Sequence, residues 1–206
     1  MKARWFLVLL LGLVLFVAPA QAIPTIDFGN GLLTGGMVTT PDGGINIVGV
    51  GIALQALNVT LVPGPPTLYI LGAGTHLDFN TVANTISITG TVPTLGINAP
   101  VALLSGTFAS FEVTYNKGIS LDLHDAIGPD TKSRELLLAL GLDPTQPFNY
   151  FGFSLTSIFS VSADTYVAIS TDIKNEGKVP EPISLILLGS GLAGAGLYRR
   201  FRKPRA

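Results

Sequence analysis

The chain has 206 residues, enough for one domain or two small ones. It contains no cysteine, which excludes disulfide bonds, thiol catalysis and cysteine-bound zinc. Positions 23–180 carry five basic and 12 acidic residues, and this net charge of −7 argues against nucleic-acid binding. Most of the basic residues lie instead in the first four and the last eight positions, next to two apolar runs.

Residues 1–22 are predicted to be a secretory signal peptide. Two basic residues near the start precede an apolar run of 13 residues, and Ala20 and Ala22 then form the small-x-small pattern that signal peptidase recognises. The mature chain would therefore begin at Ile23. An uncleaved membrane anchor is the alternative, but the apolar run is short for a helix that crosses a bilayer.

Positions 23–173 are predicted to form a β-rich exported domain, because apolar and polar residues alternate in short runs between turn residues. The clearest unit is a hairpin with arms at 111–115 and 119–123, joined by a three-residue turn that places Gly118 at positive φ. Further candidate strands lie at 45–52, 53–62, 67–72, 75–79, 84–92, 101–110, 151–161 and 167–173.

One short helix interrupts the strands. Asp130 or Thr131 is predicted to cap it, Arg134 to Leu140 form its body, and Gly141 ends it. Many short strands with a single helix indicate a mainly β fold, and we expect a β-sandwich or a jelly-roll-like domain.

The C-terminal part of the chain is predicted to be a linker followed by a membrane helix. Residues 174–182 are polar and contain two prolines, which is typical of a linker. Residues 183–198 lack charge and would form a single transmembrane helix about 24 Å long, with the tail 199–206 in the cytoplasm. The basic residues that would stop transfer through the membrane are Arg199, Arg200, Arg202, Lys203 and Arg205.

The stretch Val179, Pro180, Glu181 and Pro182, followed by an apolar run and an Arg-rich end, resembles the PEP-CTERM sorting signal. Similar tails occur on exported proteins of Gram-negative bacteria that produce exopolysaccharide, and the enzyme that recognises and processes them is exosortase, a membrane protease-transpeptidase. The resemblance covers residues 179–205 and implies that the Pro-Glu-Pro sequence is the recognition motif. Its two prolines would hold the segment extended and accessible.

Two histidine–aspartate pairs are the candidate reactive groups of the domain. His124 with Asp122, and His76 with Asp78, alternate along strands, so each pair shares a polar face from which it could ligate a metal or orient a base. A solvated face is the simpler interpretation of both pairs. The third candidate is a calcium site formed by Asp122, Asp125 and Asp130. These residues do not have the spacing of a calcium-binding loop. Neither a metal site nor a cofactor is predicted.

Aromatic residues cluster after the helix. Phe151 and Phe153 fall on one face of a strand and are expected to pack in the core. Phe148 and Tyr150 complete the cluster, and Tyr150 is the member that we expect at the surface, where an aromatic ring can stack on a sugar.

The sequence favours a non-enzymatic surface or extracellular-matrix protein. Signal peptidase would remove the leader, the C-terminal helix would anchor the precursor in the inner membrane, and exosortase would process it for the cell surface or an exopolysaccharide matrix. A secreted carbohydrate-binding module is one alternative. A secreted hydrolase that uses His124 and Asp122 is another, although the chain has no H-E-x-x-H or G-x-S-x-G motif.

Overall fold

The computed structural model of the chain describes residues 24–31, 35–61, 64–145 and 150–176. Outside them lie the predicted signal peptide 1–22 with its cleavage residues Ala20, Ala22 and Ile23, the aromatic residue Phe148, the motif Val179, Pro180, Glu181 and Pro182, the predicted span 183–198, and the basic residues Arg199, Arg200, Arg202, Lys203 and Arg205.

The described ranges contain thirteen strands, one α-helix and one 3₁₀ turn, joined by turns and loops. Neither the helix nor the 3₁₀ turn of these ranges is long and apolar enough to cross a membrane. The elements are β1 Thr25–Gly29, β2 Met37–Thr39, β3 Val48–Ala53, β4 Ala56–Thr60, β5 Thr67–Ile70, β6 His76–Asn80, β7 Thr85–Val92, the 3₁₀ turn Pro93–Leu95, β8 Ile97–Thr107, β9 Ser110–Asn116, β10 Ser120–Gly128, β11 Asp130–Lys132, α1 Arg134–Ala139, β12 Tyr150–Ser160 and β13 Thr165–Glu176.

All the strands join one antiparallel sheet, and its central strand is β13. Along one side, β13 pairs with β12 over its whole length. Along the other side, β2 pairs with the first half of β13 and β1 pairs with the second half. Three arms therefore leave β13, and their strand orders are β12–β10–β9, β2–β3–β6–β7–β8–β11 and β1–β4–β5.

The sheet curls so that its arms pack against each other through an aromatic core. Phe79 on β6 meets Phe153 on β12 with ring centroids 5.2 Å apart, and Phe108 contacts both rings. Since β6 and β12 belong to different arms, the core lies between the arms. The mainly β class with one short helix is confirmed. The strands form one continuous, curled sheet, where a sandwich would have two separate sheets.

The predicted hairpin is confirmed. Strands β9 and β10 pair from Ser120 opposite Asn116 onward, and Gly118 in the turn has a φ of 71°. The backbone N–H of Gly118 also donates a hydrogen bond of 2.9 Å to the Tyr166 hydroxyl on β13, so the turn is held against the central strand.

The predicted cap of the helix, Asp130 or Thr131, is wrong, since the N-cap lies two or three residues later. Ser133 occupies the N-cap, and its side-chain oxygen accepts a hydrogen bond of 3.0 Å from the backbone N–H of Leu136. Asp130 and Thr131 belong instead to β11, which pairs with β8. The strands β1, β2 and β11 have no counterpart among the predicted elements.

The predicted start of the linker at residue 174 is also wrong. Strand β13 continues through Lys174 and Asn175 to Glu176, with partners on both β1 and β12. The Asn175 side chain is fully buried between Ile26 and Phe151. The composition resembles that of a linker because Lys174 faces solvent and the polar Asn175, which a sequence pattern would also place at the surface, points into the core.

Candidate functional sites

His124 and Asp122 lie on β10 but do not form a pair. Oδ1 of Asp122 accepts a hydrogen bond of 3.1 Å from the backbone N–H of Ser157 on β12. In the described part of the chain, no hydrogen bond or ion pair joins Asp122 to the exposed His124. The pairing of β10 with β12 shifts between Leu123 and Ala126, so His124 and Asp125 lie in a β-bulge that Asp122 precedes. Asp122 therefore stabilises the contact between β10 and β12.

His76 and Asp78 do come together on β6. Nε2 of His76 lies 3.4 Å from Oδ2 of Asp78, and its Nδ1 forms a hydrogen bond of 2.7 Å with the Gly74 carbonyl oxygen. The other carboxylate oxygen of Asp78 accepts a hydrogen bond of 2.7 Å from the Gly51 N–H. The imidazole is thus held in one orientation, and it lines an open pocket of about 440 Å³. Both side chains are more than a third exposed, and their contact is an ion pair only while the imidazole is protonated, so it stabilises the fold by about 1 kcal/mol or less.

The three aspartates of the candidate calcium group do not gather at one place. Asp122 bonds to β12, Asp125 sits in the bulge with a φ of 47°, and Asp130 is buried beside Lys132. Among the residues that the structure describes, no three His, Asp or Glu side chains converge in a way that could hold a metal ion. The carboxylates are therefore distributed over separate local contacts.

Asp27 on β1 and Asp172 on β13 form a carboxyl pair on the outer face of the sheet. Partial burial, followed by the hydrogen bond and the charge of Asp172, raises the pKa of Asp27 to about 6, and the charge of Lys174 opposes this shift. Lys174 lies directly opposite Asp27 in the β1–β13 register. Asp27 consequently keeps its proton up to a pH of about 6, whereas an isolated aspartate releases it at a lower pH.

A second charged cluster is buried inside the domain. The Lys132 ammonium nitrogen contacts Oδ2 of Asp130 and lies 2.8 Å from Oδ1 of Asn175, and both charged side chains are fully enclosed. Burial lowers the pKa of Lys132 to about 8 and raises the pKa of Asp130, because desolvation disfavours each charged form. The cluster joins the edge strand β11 to the central strand β13.

Sequence reasoning missed this cluster. Asp130 and Lys132 are two positions apart, which places them on one face of a strand, and opposite charges at that spacing are the signal that could have indicated a buried pair. The third member, Asn175, is 43 positions away from Lys132, so only the fold brings it there.

The aromatic residues of β12 behave as predicted. Phe151 and Phe153 are buried, whereas Tyr150 is 47% exposed. Tyr150 lies at the start of β12, opposite Glu176 of β13, on the outer face that also carries Asp172 and Lys174. An exposed aromatic ring on this face offers a surface on which a sugar can stack.

The C-terminal tail is the part of the chain that comparison with known proteins identifies. Comparison with curated proteins and with solved structures yields no match. Residues 178–203 match the family described as the PEP-CTERM protein-sorting motif, which confirms the resemblance predicted for 179–205. The match begins two positions after Glu176, the last residue of β13. The C-terminal tail of this chain is a PEP-CTERM protein-sorting motif, which implies export and processing by exosortase at the membrane.

Proposed function

We propose that the chain is a non-enzymatic surface or extracellular-matrix protein that associates with exopolysaccharide. Signal peptidase removes residues 1–22, residues 183–198 anchor the precursor in the inner membrane, and exosortase processes it near Val179 to Pro182. The product is then retained at the cell surface or released. The sorting motif at 178–203 is the observation that carries this proposal.

The ends of the chain support one topology. The basic residues near the start and the basic cluster at the end favour the cytoplasmic side, and the acidic, cysteine-free middle is then outside. The strand β13 ends at Glu176, so the Pro-Glu-Pro motif follows the folded domain closely along the chain. The folded cargo and the sorting signal are therefore adjacent in sequence.

Mass spectrometry of the extracellular and membrane fractions tests the processing step. The extracellular form is expected to begin at Ile23 and to lack the tail, and Glu181→Ala is expected to leave the full tail in the membrane fraction. Glu135→Ala, which removes an exposed carboxylate of α1, is the matched control and should be processed like the wild type. An extracellular form that still ends at Ala206 would refute the proposal.

A carbohydrate-binding module is the second candidate, and the exposure of Tyr150 favours it. Binding of isolated exopolysaccharide should fall at least tenfold in Tyr150→Ala. Leu68→Ala, which removes a similarly exposed apolar side chain from β5, should not change the binding. Equal binding by the two variants would exclude this role for Tyr150. The hydrolase alternative has less support, since the Asp122 carboxylate is bonded to Ser157 and not to His124.

A further inference from the structure

We propose that the buried side chains of Lys132 and Asn175 join in an intramolecular amide bond, and that Asp130 is the catalytic residue of this self-modification. The link would connect the edge strand β11 to the central strand β13, inside a domain that has no cysteine to form a disulfide. It is independent of the proposed sorting function, because it requires only the folded domain.

The two reacting groups are already in contact. Nζ of Lys132 lies 2.8 Å from Oδ1 of Asn175. A carbonyl bond is about 1.2 Å long, so the amide carbon Cγ is at most about 4 Å from the amine, and reacting atoms start from about 3–3.5 Å. Rotation of the Asn175 amide within its pocket is enough to present Cγ to the amine.

The contacts of Asp130 place it to move protons in this reaction. Its Oδ2 contacts the Lys132 amine, while its Oδ1 has no hydrogen-bond partner in the described structure, and the same is true of Asn175 Nδ2. A buried carboxyl oxygen and a buried amide nitrogen without partners are costly in an ordinary core. In this site they are the proton donor and the leaving group.

The surroundings favour the reactive protonation states. The amine and the carboxyl are fully enclosed, and Asn175 lies between Ile26 and Phe151. A Cβ atom at Gly106 would lie 3.0 Å from the Phe151 ring and 3.1 Å from Asp130 Cβ, so the ring and the Asp130 side chain flank the same glycine. Desolvation lowers the pKa of Lys132 to about 8 and raises the pKa of Asp130. A neutral amine is the nucleophilic form of lysine.

The step balances without an oxidant or a co-reactant. The neutral Lys132 amine attacks Cγ of Asn175, and the protonated Asp130 stabilises the oxygen that gains charge. Asp130 then carries a proton from the former amine to Nδ2 of Asn175. The bond between Cγ and Nδ2 breaks, one ammonia molecule leaves, and a secondary amide joins the two side chains while Asp130 returns to its initial state.

Peptide mapping of the purified, full-length chain tests the proposal. The intact mass should be lower than the sequence mass by one ammonia molecule. Trypsin should yield a branched peptide in which residues 118–134, uncut at Lys132, are joined to residues 175–178. Separate peptides ending at Lys132 and beginning at Asn175, at the unmodified mass, would overturn the proposal, and this readout does not depend on any variant.

A succinimide at Asn30-Gly31 would also release ammonia, so the mass alone does not decide. Hydroxylamine cleaves a succinimide and leaves a side-chain amide intact, and only the amide gives the branched peptide. A mass loss without a branched peptide therefore counts against the link.

Variants assign the roles of the three residues. The mass calculated from the sequence, with no ammonia lost, is expected for three variants: Lys132→Arg, Asn175→Ala and Asp130→Asn. In Asp130→Asn the two reacting groups remain, and only the group that transfers the proton is removed. Lys174→Arg, which alters the neighbouring lysine on β13, should keep the branched peptide. A branched peptide in Asp130→Asn at the wild-type yield would show that Asp130 has no catalytic role and would overturn that part of the proposal.

Discussion

Asp27 and Asp172 allow a pH effect to be predicted from single residues. The folded-state pKa of Asp27 is raised from 3.8 to about 6, so between these values the folded state binds more protons than the unfolded state. The stabilisation of the folded state by Asp27 is therefore complete below pH 3.8 and is lost as the pH rises through about 6.

We expect Asp27→Asn to raise the melting temperature at pH 7 and to remove this pH dependence. Because Asp27 is only half-buried, solvent screening limits the gain to on the order of 1 kcal/mol, or about 2–4 °C. Thermal unfolding of the two proteins between pH 4.5 and 7.5 measures the difference. Asp164→Asn, in the exposed turn after β12, should leave the dependence of the melting temperature on pH unchanged. Parallel curves for the wild type and Asp27→Asn would contradict the prediction.

The buried cluster shows why part of the interior could not be predicted from the sequence. The alternation of apolar and polar residues predicts the hairpin β9–β10 and the core position of Phe153, because these contacts follow the period of a strand. In β11 the alternation is inverted, since Asp130 and Lys132 point inward and Thr131 outward. A sequence pattern places charged residues at the surface unless a buried partner can be recognised. The partner of Lys132, Asn175, is too distant in sequence to be recognised.

At the scale of elements, the contact between the ends of β8 and β10 depends on a glycine. A Cβ atom at Gly128 would lie 1.8 Å from the carbonyl oxygen of Thr107, closer than any two such atoms can approach. The N–H of Thr107 and the carbonyl of Pro129 also form a hydrogen bond of 3.1 Å at this crossing. The backbones can therefore meet only if residue 128 has no side chain.

Gly128→Ala is expected to destabilise the domain by roughly 1–3 kcal/mol, because the strands must separate to admit a methyl group. Urea unfolding should show a lower midpoint at an unchanged slope. Gly152→Ala is the matched control on β12, since its Cβ would meet nothing closer than 3.9 Å. Equal midpoints for the two variants would argue against this close approach.

A substitution at the N-cap of α1 tests the position of the cap and is expected to have a smaller effect on stability. The helix has six residues, and the Ser133 hydroxyl satisfies the N–H of Leu136 at its first turn. Ser133→Ala should cost about 1 kcal/mol in the free energy of unfolding. Ser154→Ala, at an exposed position of β12, should change it by no more than about 0.5 kcal/mol. If Thr131→Ala were the more damaging change, the cap would lie where the sequence pattern predicted it.

For the whole molecule, the end of β13 determines where the chain can be shortened. The last three residues of the strand, 174–176, pair with β1 on one side and β12 on the other. Asn175 also covers Ile26 and Phe151 and contacts Lys132 in the interior. These residues therefore belong to the fold, although their composition resembles that of a linker.

Two shortened chains separate these interpretations. A chain that ends at Ile173 exposes part of the Ile26 and Phe151 side chains, and complete burial of such a side chain is worth about 1.5–3 kcal/mol, so a loss on the order of 3 kcal/mol is expected. A chain that ends at Gly177 keeps every paired residue of β13 and should melt at the same temperature as the exported, processed protein. Thermal unfolding of the three proteins at one pH measures both effects.

If the chain ending at Ile173 were as stable as the others, residues 174–176 would be a linker after all, and exosortase could cut before residue 178 without harm to the domain. If it is the less stable one, processing has to occur beyond Glu176, which is where the matched sorting motif lies.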